Sequence, residues 1–399
     1  MNRRAHVTVM ALWLLAGTAL AYRPAGWTWY AWPYAYDLDS GDWHWFYTGD
    51  TQWSLGPLPG GDWRTMGESP LANGWAYHAW PYSYGWDSGA WFYLNEADTQ
   101  ACVNLTSGQW SRFGATEVPP GMAPIPGGNA RIGNALSATG DGYADELPVQ
   151  TVYVSAFNMD RHEVTKALWD EVRAWGLGNG YTDLPVGRGK ALNHPVQGID
   201  WNAMVKWCNA RSQMEARPAC YTMDGFVYKT GPGTPTCDWA ATGYRLPTVA
   251  EWEKAARGGE SGRRFPWSNN DLIQHAQANY IGTNAYRYDT GTTFGYHPAF
   301  ALGGFPYTSP VGSFAPNGYD LYDMAGNVWE WCWDWSSSNG LAASPTVDPR
   351  GPTTGSDRVY RGGSWDYYAD DCRVAGRYGD TPDGAEDDVG FRTVLNPAP

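Results

Sequence analysis

Six cysteines are the side chains best able to do chemistry in this chain: Cys102, Cys208, Cys220, Cys237, Cys332 and Cys372. Paired thiolates can hold a soft metal or exchange electrons, but no Cys-x-x-Cys spacing occurs. In an oxidising compartment the default fate of such residues is a disulfide, with metal ligation the weaker expectation. Cys220 and Cys237 bracket a Gly/Pro-rich loop, Tyr221 to Thr236, which one bridge could close. Cys332 and Cys372 form a second candidate pair. Histidine offers less: beyond one near the start, His44, His78, His162, His194, His275 and His297 are scattered, without the helical His-x-x-x-His spacing. A third group crowds the C-terminal part: Asp366, Tyr367, Tyr368, Asp370, Asp371, Tyr378, Asp380, Asp383, Glu386, Asp387 and Asp388. Tyrosine gives rigid amphipathic contact area and aspartate gives polar recognition. The bland alternative is an acidic, solvated loop with no partner.

The elements that must position these groups are modest. Val149 to Phe157 alternates apolar and polar residues, as a half-buried strand does. Glu163 to Trp175 has apolar residues at helical spacing, and Trp201 to Met214 is a second predicted helix. A third runs from Thr248 to Arg257, with Thr248 and Glu251 set as a capping box. Beyond Gly258 the chain reads as loops and short strands.

The first 21 residues (1–21) read as a signal peptide: Arg3 and Arg4, the short apolar run Val7 to Leu15, then Ala19-Leu20-Ala21. That stretch is too short for a membrane span, so an exported protein without a transmembrane segment is expected. A duplicated module follows over residues 22–115. Gly26 to Tyr36 recurs as Gly74 to Tyr84, and the register holds through Asp50-Thr51-Gln52 and Asp98-Thr99-Gln100. Each copy reads as short β-hairpins rich in Trp and Tyr. Two roles stay open: a carbohydrate module stacking cell-wall glycan on its aromatics, or rings that merely staple hairpins too small for an aliphatic core. Pro119 to Gly128 then reads as a linker leading into the second domain, residues 116–399.

With 25 Trp, 26 Tyr and 49 Gly against 17% charged residues, the chain is a packed, loop-rich protein and not a disordered one. Its formal net charge of −14 excludes an electrostatic role on nucleic acid, whose phosphates it would repel.

Several ordered motifs then carry a resemblance over about residues 121–395. They include Ile125-Pro126-Gly127-Gly128, Phe157 to Thr165, His194-Pro195-Val196 with Asp200-Trp201, and Gly243 to Gly259. Asn317 to Trp331, Arg361-Gly362-Gly363-Ser364-Trp365 and Gly390-Phe391-Arg392 complete the series. In this order they resemble the sulfatase-modifying-factor, or formylglycine-generating-enzyme-like, family. The resemblance implies an α+β fold with little regular secondary structure, related to C-type-lectin-like domains and held by aromatic packing, disulfides and calcium.

It also implies sites. Asp323 and Glu330 with the carbonyls of Gly326 and Val328 match the family's better-kept calcium site, and such an oxygen set suits that hard cation. A second calcium site is matched by Asn279 and the carbonyls of Tyr280 and Phe305, but Gly303 stands where its carboxylate belongs. Formylglycine generation uses two cysteines that bind copper(I) shortly after the Gly-Gly-Ser motif. Counting from Ser364, Cys372 falls on the second position and Tyr367 on the first; counting back from Arg377, neither position is cysteine. Copper chemistry is therefore not expected, and any residual catalysis would fall to Cys372 and Ser364. The family's iron-dependent sulfoxide synthases need a helical histidine domain that is missing from this sequence. What remains is a ligand cleft implied for Trp365, Asp366, Tyr367, Tyr368, Asp370, Asp371 and Arg377. The expected function is a non-catalytic, calcium-stabilised binding or scaffold protein with a protein, peptide or glycan ligand. The alternative is an oxidoreductase that oxidises a sulfatase cysteine, or a related non-heme-iron sulfur-oxidising enzyme.

Overall fold

A computed structural model describes residues 118–136, 141–338 and 344–397 in full; between residues 25 and 112 it describes only the backbone of ten strands. The expected signal segment, the Cys102 side chain and the aromatic side chains of the duplicated module lie outside the described residues. Two compact units divide the chain, Met1–Thr116 and Glu117–Pro399. In the first, the ten strands form one sheet. No helix of the described residues is long and apolar enough to cross a membrane.

The second unit is a mixed α/β fold of short elements. Strand β1 (Met122–Ile125) pairs antiparallel with β4 (Phe157–Asp160), which also pairs with the last strand, β12 (Val394–Leu395). The two ends of the domain thus share one sheet. Strands β2 (Gly128–Ile132) and β3 (Gln150–Val154) form a separate ladder. The strand expected over 149–157 is broken by a turn at Ser155 and Ala156, and only its last residue, Phe157, joins another sheet, as the start of β4.

Helix α1 (Lys166–Leu177) starts later than its apolar pattern suggests. Thr165 caps it by accepting the amide of Leu168 at 3.2 Å, which leaves Glu163 outside the helix. Helix α2 (Trp201–Met214) has the predicted bounds, with Asp200 accepting from the amide of Ala203. It is buried nearly all round, so its polar residues need partners. Lys206 meets Asp183 at 2.7 Å, and Asn209 donates to the carbonyls of Tyr221 and Tyr228. Helix α3 (Val249–Ala256) carries the expected capping box of Thr248 and Glu251.

A small antiparallel sheet sets β5 (Tyr221–Met223) between β6 (Phe226–Val227) and β7 (Thr236–Cys237). A last sheet is built on β8 (Trp329–Trp335). It pairs antiparallel with β9 (Arg358–Arg361), which pairs with β10 (Arg377–Asp380), while β11 (Val389–Gly390) runs parallel along its other edge. Aromatic burial supplies the core: Trp169, Trp201, Trp207, Trp252, Trp329 and Trp331 are all fully buried. Trp169 stacks on Trp207 at 5.7 Å, and Phe391 meets both edge-on.

Candidate ligand cleft and cation site

The Gly-Gly-Ser motif leaves the end of β9 and turns sharply. Gly362 and Gly363 have φ of +99° and +76°, conformations that favour glycine. Ser364, fully buried, then donates to the Asp388 carboxylate at 2.6 Å. Burial, with Asp366 and Asp387 nearby, pushes the Asp388 carboxyl up to about 6, against the pull of the Ser364 hydrogen bond.

Cys372 follows in a buried cluster with Phe265, Tyr280, Ala325 and Ala369. Burial pushes its thiol well above the ordinary range, and Asp371, Asp370 and Asp289 add to the rise. Tyr367, at the other sequence-derived thiol position, is half-buried against Trp329 and Tyr378, with ring centroids 5.4 and 6.4 Å away.

The two expected disulfides are absent, and both expectations are corrected. Cys220, Cys237, Cys332 and Cys372 are free thiols, as is Cys208. Cys332 lies on β8 in a cluster with Trp252 and Val374, separate from the cluster that holds Cys372. The register of Tyr221 against Cys237 sets Cys220 opposite Asp238, whose amide donates to the Cys220 carbonyl at 2.8 Å. Cys237 thus stands opposite Tyr221 and not Cys220, and the two thiols stay unbridged beside the buried cluster that also holds Cys208.

The other cleft residues fall into distinct groups. Trp365 is buried among Tyr296, Phe305 and Tyr307, and the Tyr296 hydroxyl donates to Asp366 at 2.9 Å. Phe305 and Tyr368 leave exposed aromatic surface on this wall. Asp370 accepts from the Tyr143 hydroxyl at 2.9 Å, and burial beside Asp370 raises the Asp371 carboxyl to about 7. Arg377 does not join them. It borders Gly133, Asp145, Glu146 and Pro148, where burial and the Arg361 guanidinium lower its pKa.

The two sequence-derived calcium segments are brought together. Asn279 and Gly326 form a β-bridge, and the Asn327 amide donates to the Asn279 carbonyl at 2.8 Å. Asp323 has φ +56°, a turn conformation that aspartate tolerates. Its Oδ2 accepts from the Gly312 amide at 2.6 Å, while its Oδ1 is buried with no partner. The Oδ1 of Asn279 is likewise buried and unpartnered. Two orphaned oxygens, each on the first residue of a sequence-derived site, fit a hard cation. Glu330 is shared: Arg392 donates to both of its oxygens at 2.7 Å, and the Trp252 indole donates to one of them. The Tyr280 carbonyl accepts from His275 at 3.1 Å, and Gly303 has open space around it.

Glu163 is the residue the sequence reading missed. Its carboxylate accepts from Asn327 Nδ2 at 3.0 Å, and burial with Asp323 and Glu330 pushes its carboxyl well up. Asp323 itself is raised to about 6. Three buried carboxylates thus surround one guanidinium, Arg392, an excess of negative charge that a cation or protons must offset. Among the described residues no three His, Cys, Asp or Glu side chains converge as a ligand set. A cation here would therefore draw on backbone carbonyls as well. The advance signal for Glu163 was its place in the motif Phe157 to Thr165, two residues before the Thr165 cap.

Comparison with known proteins agrees with this architecture. Residues 109–397 match the sulfatase-modifying factor enzyme 1-like domain. The formylglycine-generating enzyme of Streptomyces coelicolor is 38% identical over 298 residues, covering 68% of this chain and 88% of that protein. The inactive C-alpha-formylglycine-generating enzyme 2 of Bos taurus is 32% identical, covering 73% of this chain and 92% of its own. Among solved structures, Treponema denticola variable protein 1 superposes with a TM-score of 0.53 at 30% identity, over 69% of this chain and 95% of that one. The chain belongs to the sulfatase-modifying-factor, formylglycine-generating-enzyme-like family.

Proposed function

We propose that this is an exported, non-catalytic binding protein, stabilised by calcium, whose cleft presents aromatic and acidic side chains to a protein, peptide or glycan ligand. The observation that carries the reading is Tyr367. Its ring occupies the first thiol position and packs against Trp329 and Tyr378, so Cys372 is left as a lone, buried and hard-to-ionise thiol. Copper(I) needs a pair of soft ligands, and no other described cysteine shares the cluster of Cys372. A relative whose name declares it inactive supports the same reading, since the fold persists there without the activity.

Calcium rests on the orphaned Oδ1 atoms of Asp323 and Asn279 and on the carboxylate excess around Arg392. Asp323 and Glu330, with the carbonyls of Gly326 and Val328, would hold the ion; Asn279 and the Tyr280 carbonyl would hold a second, weaker one. Its contribution is charge neutralisation of a buried turn, not chemistry. Export rests on Arg3, Arg4 and the apolar run before Ala21.

The test is a copper(I) titration of the full chain with thiol accounting, run beside an oxygen-dependent assay on a cysteine peptide from a sulfatase. The expected result is no tight stoichiometric copper and no formylglycine. Tight copper with turnover would establish the oxidoreductase instead.

A further inference from the structure

Away from the cleft, a cavity of about 300 Å³ opens between the turn at Ser155 and Ala156, Trp239, the start of α3 and the segment Asp348-Pro349-Arg350. Neither the aromatic cleft nor the cation site includes these residues. Two guanidinium groups lie over the Trp239 ring, that of Arg350 at 4.2 Å from its centroid and that of Arg245 at 5.2 Å. Their situations differ.

The Arg245 fork is committed. It donates to both oxygens of Glu251, at 2.7 and 2.6 Å, and to Asn396 at 3.1 Å, while its buried Nε has no partner. Arg350 is exposed and, among the described residues, makes no ion pair. Its nearest acid in sequence, Asp348, is turned away: one oxygen accepts the Ser155 amide at 2.7 Å and the other the Ser155 hydroxyl at 2.8 Å. Thus a chain of net charge −14 keeps an unspent guanidinium at a cavity.

Stacking on an indole holds a guanidinium by its face and leaves its N–H edges free, and those edges match a carboxylate with two parallel hydrogen bonds. Holding the fork in advance lowers the ordering cost of binding. The volume sits at the lower end for small-molecule sites and suits a single ring. Glu251 and Asp348 on the wall disfavour a dianion, which selects a monocarboxylate over phosphate.

We infer that this cavity binds a small ring-bearing monocarboxylate, its carboxylate paired with Arg350 and its ring against Pro349 and Ala156. This site is separate from the cleft, and its existence does not depend on the function proposed there.

The experiment is isothermal titration of the full chain with glucuronate and with benzoate, using glucose and inorganic phosphate as controls. Saturable binding of either acid, with glucose silent, is expected. Glucuronate alone would identify a sugar acid, benzoate alone an aromatic acid, and both would show that carboxylate and ring suffice. Arg350→Ala should weaken binding about tenfold or more, and Arg350→Lys, which keeps the charge without the fork, should fall between. Because Arg350 is exposed, neither substitution should lower the melting temperature, and Trp239→Leu offers an independent loss through the support of the fork. Absence of saturable binding to both acids, phosphate binding as tightly as either, or full affinity in Arg350→Ala would overturn the inference.

Discussion

The Cys372 sulfur rests against the bare Cα of Gly363: a Cβ built on that glycine would meet Sγ at 2.7 Å and the Cys372 backbone nitrogen and Cα at 3.0 Å. Gly363 also has φ +76°. Gly363→Ala therefore combines left-handed strain with a clash against backbone that cannot swing away, and should cost about 3 kcal/mol or more. Gly303→Ala is the control, since Gly303 has φ +78° but open space, and should cost only about 1–2 kcal/mol. Denaturant unfolding of both variants measures the difference.

Thiol mapping follows from the separation of the core clusters. Peptides of the native, non-reduced protein should carry Cys332 and Cys372 unbridged to one another. Cys372 should resist alkylation at pH 8 until the protein unfolds, because burial holds its thiol protonated. Mass spectrometry finding a Cys332–Cys372 bridge would contradict the arrangement.

Cation removal is expected to destabilise. Chelation should lower the melting temperature by about 5–10 °C if the ion stood near a hundredfold above its dissociation constant, and added calcium should restore it. Asp323→Ala should melt lower and lose the response to chelator, because the unpartnered Oδ1 disappears. An unchanged melting point on chelation would remove calcium from the account.

The pair Ser364–Asp388 predicts a pH dependence. The folded-state pKa of Asp388, about 6, lies above the ordinary 3.8, so the folded state holds this proton more tightly than the unfolded chain does. Its stabilisation is full below about pH 4 and is lost as pH rises through 6, a change of up to about 3 kcal/mol. Asp388→Asn should flatten that part of the stability profile relative to the wild type, and equal slopes in the two proteins would refute the assignment.

What the sequence by itself determined is local or ordered. Helix α2 has the bounds its pattern predicts, and Thr248 and Glu251 form their capping box, because the partners lie within one turn. The ordered motifs from Ile125 to Arg392 identify the family, since their succession needs no contacts to be recognised. What tertiary structure alone decided involves partners far apart in the chain. Glu163 leaves the expected helix to meet Asn327, 164 residues away, and Arg377 turns from the cleft toward Arg361 and Glu253. Ladder register sets Cys237 opposite Tyr221 and Cys220 opposite Asp238, and spacing along the chain carries no information about that register. The carboxylate excess around Arg392 is likewise a product of folding: each charge is ordinary in water and becomes costly only when packing removes the water.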